Sequence, residues 1–365
     1  MSRGLRLDGI DILRGVAVTG VVIYHFFVLL DLTRSSFFPY VHAFGSLGVP
    51  LFFIISGYLI YRSIDNSIKK RGRKDGVINY LLHRFFRIAP AYYFNLFVLL
   101  ILAGVLMESS FLYSFSFFKQ ILSNLTFTSY FFHRTSGFGF NGAYWTLNIE
   151  MLWYILAPIL LIYVKRDRVL LLLSILSFVY LWAVGQGYLD FIFGFDSTTA
   201  LYRLELQYLA TQLMGQISYF IAGIFIYKYS ITPHIFSDRS LYILTTVIIV
   251  SFVTIGGYFG MSHDILLNQL YKLSISIMVF ILLYATKIRG FDLLEWVGKI
   301  SYSIYLWHMP ILFVMKRSSI LSHLSIYATL LLFTILLLII SSLSYYLVEE
   351  GGFVLRKRVS ESLKR

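Results

Sequence analysis

The chain has 365 residues, 58% of them hydrophobic and 13% charged, against roughly 45–50% and 25% in an ordinary soluble domain. With 34 Phe, 28 Tyr and a mean hydropathy of +0.76, it carries more apolar surface than one buried core can absorb, which excludes a soluble enzyme and makes lipid the natural solvent. The absence of cysteine excludes a disulfide framework, a thiolate metal site and a catalytic Cys, and the net charge of +13 lies between apolar runs rather than in a nucleic-acid-binding patch.

In chain order, apolar stretches near 20 residues predict about ten transmembrane helices, at 11–30, 44–62, 88–107, 143–164, 169–187, 208–230, 241–259, 265–286, 294–315 and 325–348. The fold class is therefore all-α and polytopic. The N-terminus offers no small-residue cleavage site, so the first span is expected to stay in the mature protein. At 109–133, Lys119, Gln120 and Asn124 interrupt the apolar pattern and predict an interfacial or re-entrant segment rather than a span. The basic residues orient the chain, because basic loops resist translocation. An inside N-terminus puts 22 Lys and Arg in the cytoplasm and six outside, with Arg14, Lys272 and Lys299 in spans, so both termini are expected to be cytoplasmic. The loop at 65–79, DNSIKKRGRKDGVIN, is either a topology signal or a surface for anionic headgroups or a phosphorylated ligand. No internal repeat and no stretch long enough for a second domain is seen. One membrane domain over 1–350 and a basic cytoplasmic tail over 351–365 are expected.

Ionisable groups at bilayer depth are costly and mark functional positions by default. In the first span, Arg14 and His25 are eleven residues apart, about 20° beyond three full helical turns and about 16 Å of rise. They share one face at two depths, with Arg14 near the cytoplasmic mouth and His25 in the outer half. The plainer alternative for His25 is a hydrogen bond to a neighbouring helix. In the second span, Gly45, Gly48 and Gly57 with Ser46 and Ser56 permit close helix packing, or Ser56 and Gly57 line an acyl passage.

At the third span, HRFFRIAPAYYF sets Arg84 and Arg87 one turn apart, with Pro90 expected in the first turn of the helix. Two stacked guanidinium groups there suit a phosphate, or simply snorkel. The fourth span, YWTLNIEMLWY, places Trp145 at the outer interface and Glu150 at the depth of His25. Glu150 either orients the His25 imidazole or pairs with Lys272 or Lys299. In the ninth span, Glu295 and Lys299 are spaced to neutralise each other, and Tyr305 and His308 are candidate substrate contacts, unless His308 belongs with Trp307 to an aromatic belt. No GxxxxGK[ST], GxSxG, HExxH or CxxC occurs, and no metal is expected.

Six segments in order resemble the acyltransferase 3 family: LDGIDILRGVAVTGVVIYH, GVPLFFIISGYLI, HRFFRIAPAYY, WTLNIEMLWY, ISYSIYLWH and SYYLVEE. Pro50 and Gly351 depart from the family pattern. The resemblance implies an integral inner-membrane O-acyltransferase that moves an acyl group, foremost acetyl, from cytoplasmic acetyl-CoA or another acyl-CoA to a hydroxyl of a cell-envelope glycan. The carbohydrate acceptor and the lipid bilayer are then the expected partners, with no nucleic acid. In those roles Arg14, Arg84 and Arg87 hold the coenzyme phosphates, and His25 is the general base with Glu150 in support. Trp145, Ser56, Tyr305 and His308 are the expected substrate contacts. A transient acyl-His is a variant of the same chemistry. The rival reading is a transporter or flippase, which would also use intramembrane charges.

Overall fold

Lipid offers no hydrogen bonds to a peptide group, so a spanning chain must satisfy its backbone within helices. The computed structural model describes residues 5–106, 115–131, 140–163, 166–229, 264–285, 291–318 and 324–362, with positions 240, 243 and 245–248. Its helices are α1 (Leu5–Leu29), α2 (Phe38–Ser46), α3 (Gly48–Arg71), α4 (Arg73–Leu106), α5 (Phe115–Leu125), α6 (Tyr144–Tyr163), α7 (Asp167–Gly185) and α8 (Asp190–Phe193). They continue as α9 (Tyr202–Ala210), α10 (Leu213–Lys228), α11 (Ile265–Ala285), α12 (Asp292–Lys299), α13 (Ser301–Arg317) and α14 (Ile326–Ser344), then a π-turn (Tyr345–Glu349) and α15 (Glu350–Ser362). Among the described residues, eight helical segments are long and apolar enough to cross a bilayer, and the chain is an all-α polytopic protein. Of the other two expected spans, most of 241–259 lies outside the described residues, and 294–315 is broken at Ile300 into α12 and α13.

Two local expectations are corrected. The expected basic loop at 65–79 is two helices hinged at Gly72, whose φ of +76° ends α3 in the left-handed conformation that glycine adopts freely. Because α4 then starts at Arg73, Pro90 sits in a helix interior, not in its first turn. Its missing N–H leaves the Phe86 carbonyl without its usual partner, and Gly352 lies against that spot: a Cβ at Gly352 would fall 2.9 Å from the Phe86 oxygen and 2.8 Å from the proline ring. The segment 351–362 is helical, and Gly352 brings it against α4.

The chain divides into two compact units, Met1–Arg62 with Ile159–Lys299 and Ser63–Pro158 with Ile300–Arg365. In the first, helices meet backbone to backbone, since lipid supplies no hydrophobic drive and van der Waals contact must do the work. A Cβ on Gly57 would fall 2.0 Å from the Phe220 oxygen, and one on Gly223 2.0 Å from the Ile54 oxygen. The rings of Phe53 and Phe220 stack beside this crossing, 4.6 Å apart. Likewise Gly298 brings α12 onto α1, its Cβ position 1.7 Å from the Asp11 oxygen. In the second unit, α5 is too short to span and runs beside α4. Tyr92 and Tyr93 of α4 donate to the carbonyls of Asn124 and Leu125 at 3.0 and 2.8 Å. On α5, Phe115, Phe118 and Leu122 are exposed while Ser123 and Asn124 are buried, so this short helix turns its polar side to the protein and its apolar side outward.

Overpacking a tight helix crossing costs about 1–3 kcal/mol. Gly223→Leu should therefore lower the melting midpoint of the detergent-purified chain, whereas Gly351→Ala, with nothing within 4 Å of its Cβ position, should not.

Candidate active site

The first unit holds Arg14, His25 and Ser56. Arg14 and His25 lie on the unbroken helix α1, as the spacing required. The Arg14 guanidinium donates to the Asp11 carboxylate at 3.1 Å, one turn back, which holds it in place. His25 is hydrogen-bonded to the Val21 carbonyl. A carbonyl only accepts, so that ring nitrogen carries the proton and the other nitrogen of the neutral ring keeps the lone pair. Ser56 is buried on α3. Of the two alternatives for Lys299, its pairing with Glu295 is realised at 3.0 Å.

The second unit holds Arg84, Arg87, Trp145, Glu150, Tyr305 and His308, so the expected partnership of Glu150 with His25 joins residues of different units. Within the second unit Glu150 is engaged by the Tyr154 hydroxyl, one turn further along α6. The same tyrosine ring carries the Arg84 guanidinium over its face at 5.3 Å, with the Tyr80 ring 5.8 Å away on the other contact. Glu150, Tyr154 and Arg84 thus form one chain of groups, and Arg87 adds its field to it. Arg84 is 6% exposed, and its Nε is buried without a hydrogen-bond partner among the described residues. That donor belongs to a planar fork suited to phosphate oxygens.

Sequence reasoning missed two members of this cluster. His83 of α4 interacts electrostatically with Arg84, Arg87 and also Arg356 of α15. The sequence alone presents Arg356 as one more basic residue of a tail, whereas the packing of α15 on α4 brings it within electrostatic range of His83, as Arg84 and Arg87 are.

A polar network fills the rest of this unit. The Tyr144 hydroxyl donates to Asn95 Oδ1 at 2.6 Å, and Asn141 Nδ2 donates to the same oxygen at 3.3 Å and to the Leu306 carbonyl at 2.8 Å. Tyr305 shares a 2.7 Å hydrogen bond with Thr146, and its carbonyl accepts from His308 Nδ1 at 2.7 Å. That bond assigns the His308 proton to Nδ1. His308 is fully buried and Trp307 is 6% exposed, so burial excludes the aromatic-belt alternative for this pair. Trp145 is half-buried against Tyr130, ring centroids 5.6 Å apart. Glu349, also missed, is buried at the end of the π-turn and accepts from Ser303. The clue in the sequence was an acidic pair closing a long apolar run. Among the described residues no group of three or more His, Asp or Glu is placed to hold a metal ion.

Helices that carry buried ionisable groups at membrane depth, with guanidinium groups gathered at a helix packing site, define a polytopic membrane protein with a polar interior built for chemistry rather than for packing alone. The chain belongs to the acyltransferase 3 family, whose acyltransferase domain matches residues 7–349. It is 28% identical over 334 residues to the peptidoglycan O-acetyltransferase OatA of Listeria monocytogenes, covering 84% of this chain and 49% of the relative. It is 25% identical over 362 residues to the O-acetyltransferase OatA of Staphylococcus aureus, covering 94% and 56%. The chain thus spans about half the length of these curated relatives. No solved structure matches it.

Removing the Asn95 acceptor strands a buried Tyr144 hydroxyl, which costs about 1–3 kcal/mol, while Asn141 keeps Leu306. Asn95→Leu should lower the melting midpoint, and adding Tyr144→Phe should restore part of the loss in a double-mutant cycle.

Proposed function

We propose that this chain is a cytoplasmic-membrane O-acyltransferase that moves an acetyl or related acyl group from cytoplasmic acyl-CoA to a hydroxyl of a cell-envelope glycan. The reading rests above all on one observation: Arg14 and His25 lie on one unbroken helix of a chain that belongs to the acyltransferase 3 family. The names of the matched relatives, one of them a peptidoglycan O-acetyltransferase, support an acetyl group and a glycan acceptor.

The donor set suits coenzyme phosphates: Arg14, Arg84 and Arg87, joined by Arg356, offer guanidinium forks at helix positions expected near the cytoplasmic face. The bound acyl-CoA supplies an activated thioester carbonyl. The chain's own residues hold the phosphates, keep water from the acyl group and manage one proton. His25 takes the proton of the acceptor hydroxyl on the nitrogen not bonded to Val21, as the oxygen forms its new bond to the acyl carbon, and yields it to the departing sulfur as the carbon–sulfur bond breaks. Val21 fixes the tautomer, and Glu150 stabilises the charged imidazole. Ser56, Trp145, Tyr305 and His308 line the path of the two substrates.

The test is mass spectrometry of envelope glycans from cells that carry the native chain, the His25→Ala chain or none. An acyl mass increment is expected only with the native chain, and the His25→Ala rate should fall at least about a hundredfold, the usual contribution of a general base. A glycan profile unchanged by a native chain present in the membrane would set the reading aside. With purified protein, Arg14→Ala and Arg356→Gln should each raise the donor KM by about tenfold, the worth of one charge-assisted hydrogen bond, with little change in kcat.

A further inference from the structure

The first unit contains a second group of polar side chains that the mechanism above leaves unused. Lys272 lies on α11, seven residues beyond its start at Ile265, about 10 Å into an apolar span. Among the described residues of its unit this half-buried lysine makes no hydrogen bond and no ion pair. One turn further on the same face, the Ser276 hydroxyl is fully buried and also lacks a partner among the described residues. Across from α11, His42 of α2 interacts electrostatically with Lys272, and its Nδ1 is buried without a hydrogen bond among the described residues. The His42 ring packs edge-on against Tyr24, centroids 5.4 Å apart, and Tyr24 in turn packs against His25 at 5.3 Å.

A lysine held in a membrane span without a counter-charge is tolerated where a cavity or an anionic partner compensates it. Here the lysine, the imidazole Nδ1 and the hydroxyl lack hydrogen-bond partners among the described residues, and the His42 ring stands one aromatic ring away from His25. We propose that Lys272, His42 and Ser276 form an anion subsite that grips a carboxylate or phosphate carried by the acceptor and so holds its reacting hydroxyl toward His25. This assignment rests on the acyl-transfer reading, because the acceptor is what His25 activates. Lys272 supplies the charge and Tyr24 sets the spacing between the anion and the base. A carboxylate would belong to the sugar itself, and a phosphate to the lipid carrier of the glycan; the ligand chemistry is the same for both.

The experiment measures binding by the purified full-length chain of two probe pairs. One pair is N-acetylglucosaminyl-N-acetylmuramic acid and its neutral amide, and the other is a short-chain polyprenyl phosphate and the free polyprenol. The native chain should bind at least one anionic probe about tenfold more tightly than its neutral counterpart, as expected for one charge-assisted hydrogen bond. Which pair shows the preference identifies the source of the anion. Lys272→Met should abolish the preference, Lys272→Arg should keep most of it, and His42→Gln should reduce it. Equal binding of both members of each pair by the native chain, or a preference that survives Lys272→Met, overturns the subsite. A monodisperse elution profile and an unchanged melting midpoint verify that each variant is folded, and Lys272→Arg reports on the charge even where Lys272→Met does not fold. Acyl transfer to glycan is scored separately. Transfer without a charge preference removes the subsite and leaves the acyl-transfer reading standing, whereas a Lys272-dependent preference without transfer removes that reading and keeps the anion site.

Discussion

Helices in lipid have no hydrophobic reason to associate, because the bilayer is as apolar as their side chains, so close van der Waals contact between backbones carries the association. In the first unit this constraint is met at glycines. Gly57 and Gly223 let α3 and α10 approach until each glycine faces a carbonyl oxygen of the other helix, and Gly298 does the same for α12 on α1. These contacts leave no room for side chains at the crossing, so the positions around it are specified sharply. The placement of Arg14 and His25 depends on them, since α1 is the helix on which α12 is seated.

The second unit uses the complementary device. Its interior is held by hydrogen bonds that would be lost to competition in water but are strongly favoured where no water competes. Asn95, Asn141 and Tyr144 share one acceptor oxygen, Thr146 meets Tyr305, and the Tyr305 carbonyl fixes the tautomer of His308. Beside this network, Glu150, Tyr154 and Arg84 lock a carboxylate, a phenol and a guanidinium into a fixed sequence. Such groups rigidify a site because every one of them that moved would expose an unsatisfied neighbour. Pro90 and Gly352 show the same logic on the backbone: a carbonyl freed by proline is covered by a helix that only a glycine lets approach.

Much of the fold is legible in the amino-acid sequence because membrane spans are read from length and apolarity, which need no tertiary information. The helical class, the Glu295–Lys299 pair and the continuity of the helix bearing Arg14 and His25 all follow from spacing and composition. Boundaries were harder. Gly72 reads as part of a basic loop because its neighbours are charged, yet charged residues continue a helix well, and a single left-handed glycine is enough to turn it. The ninth span reads as one apolar run, but Gly298 commits α12 to α1 and the helix restarts after Ile300.

By itself the sequence determined that the protein is a bundle of lipid-embedded helices, which of its segments carry ionisable groups, and which of those groups share a helix face, because each of these depends on periodicity along one chain. Only the tertiary structure decided which helices meet. It brought Arg356 within electrostatic range of His83 beside Arg84, set Tyr154 between Arg84 and Glu150, buried His308 instead of leaving it at an interface, and brought His42 within range of Lys272. The reason is physical: such pairings join residues far apart in the chain or rest on how helices pack, and no local pattern encodes a distance across a bundle.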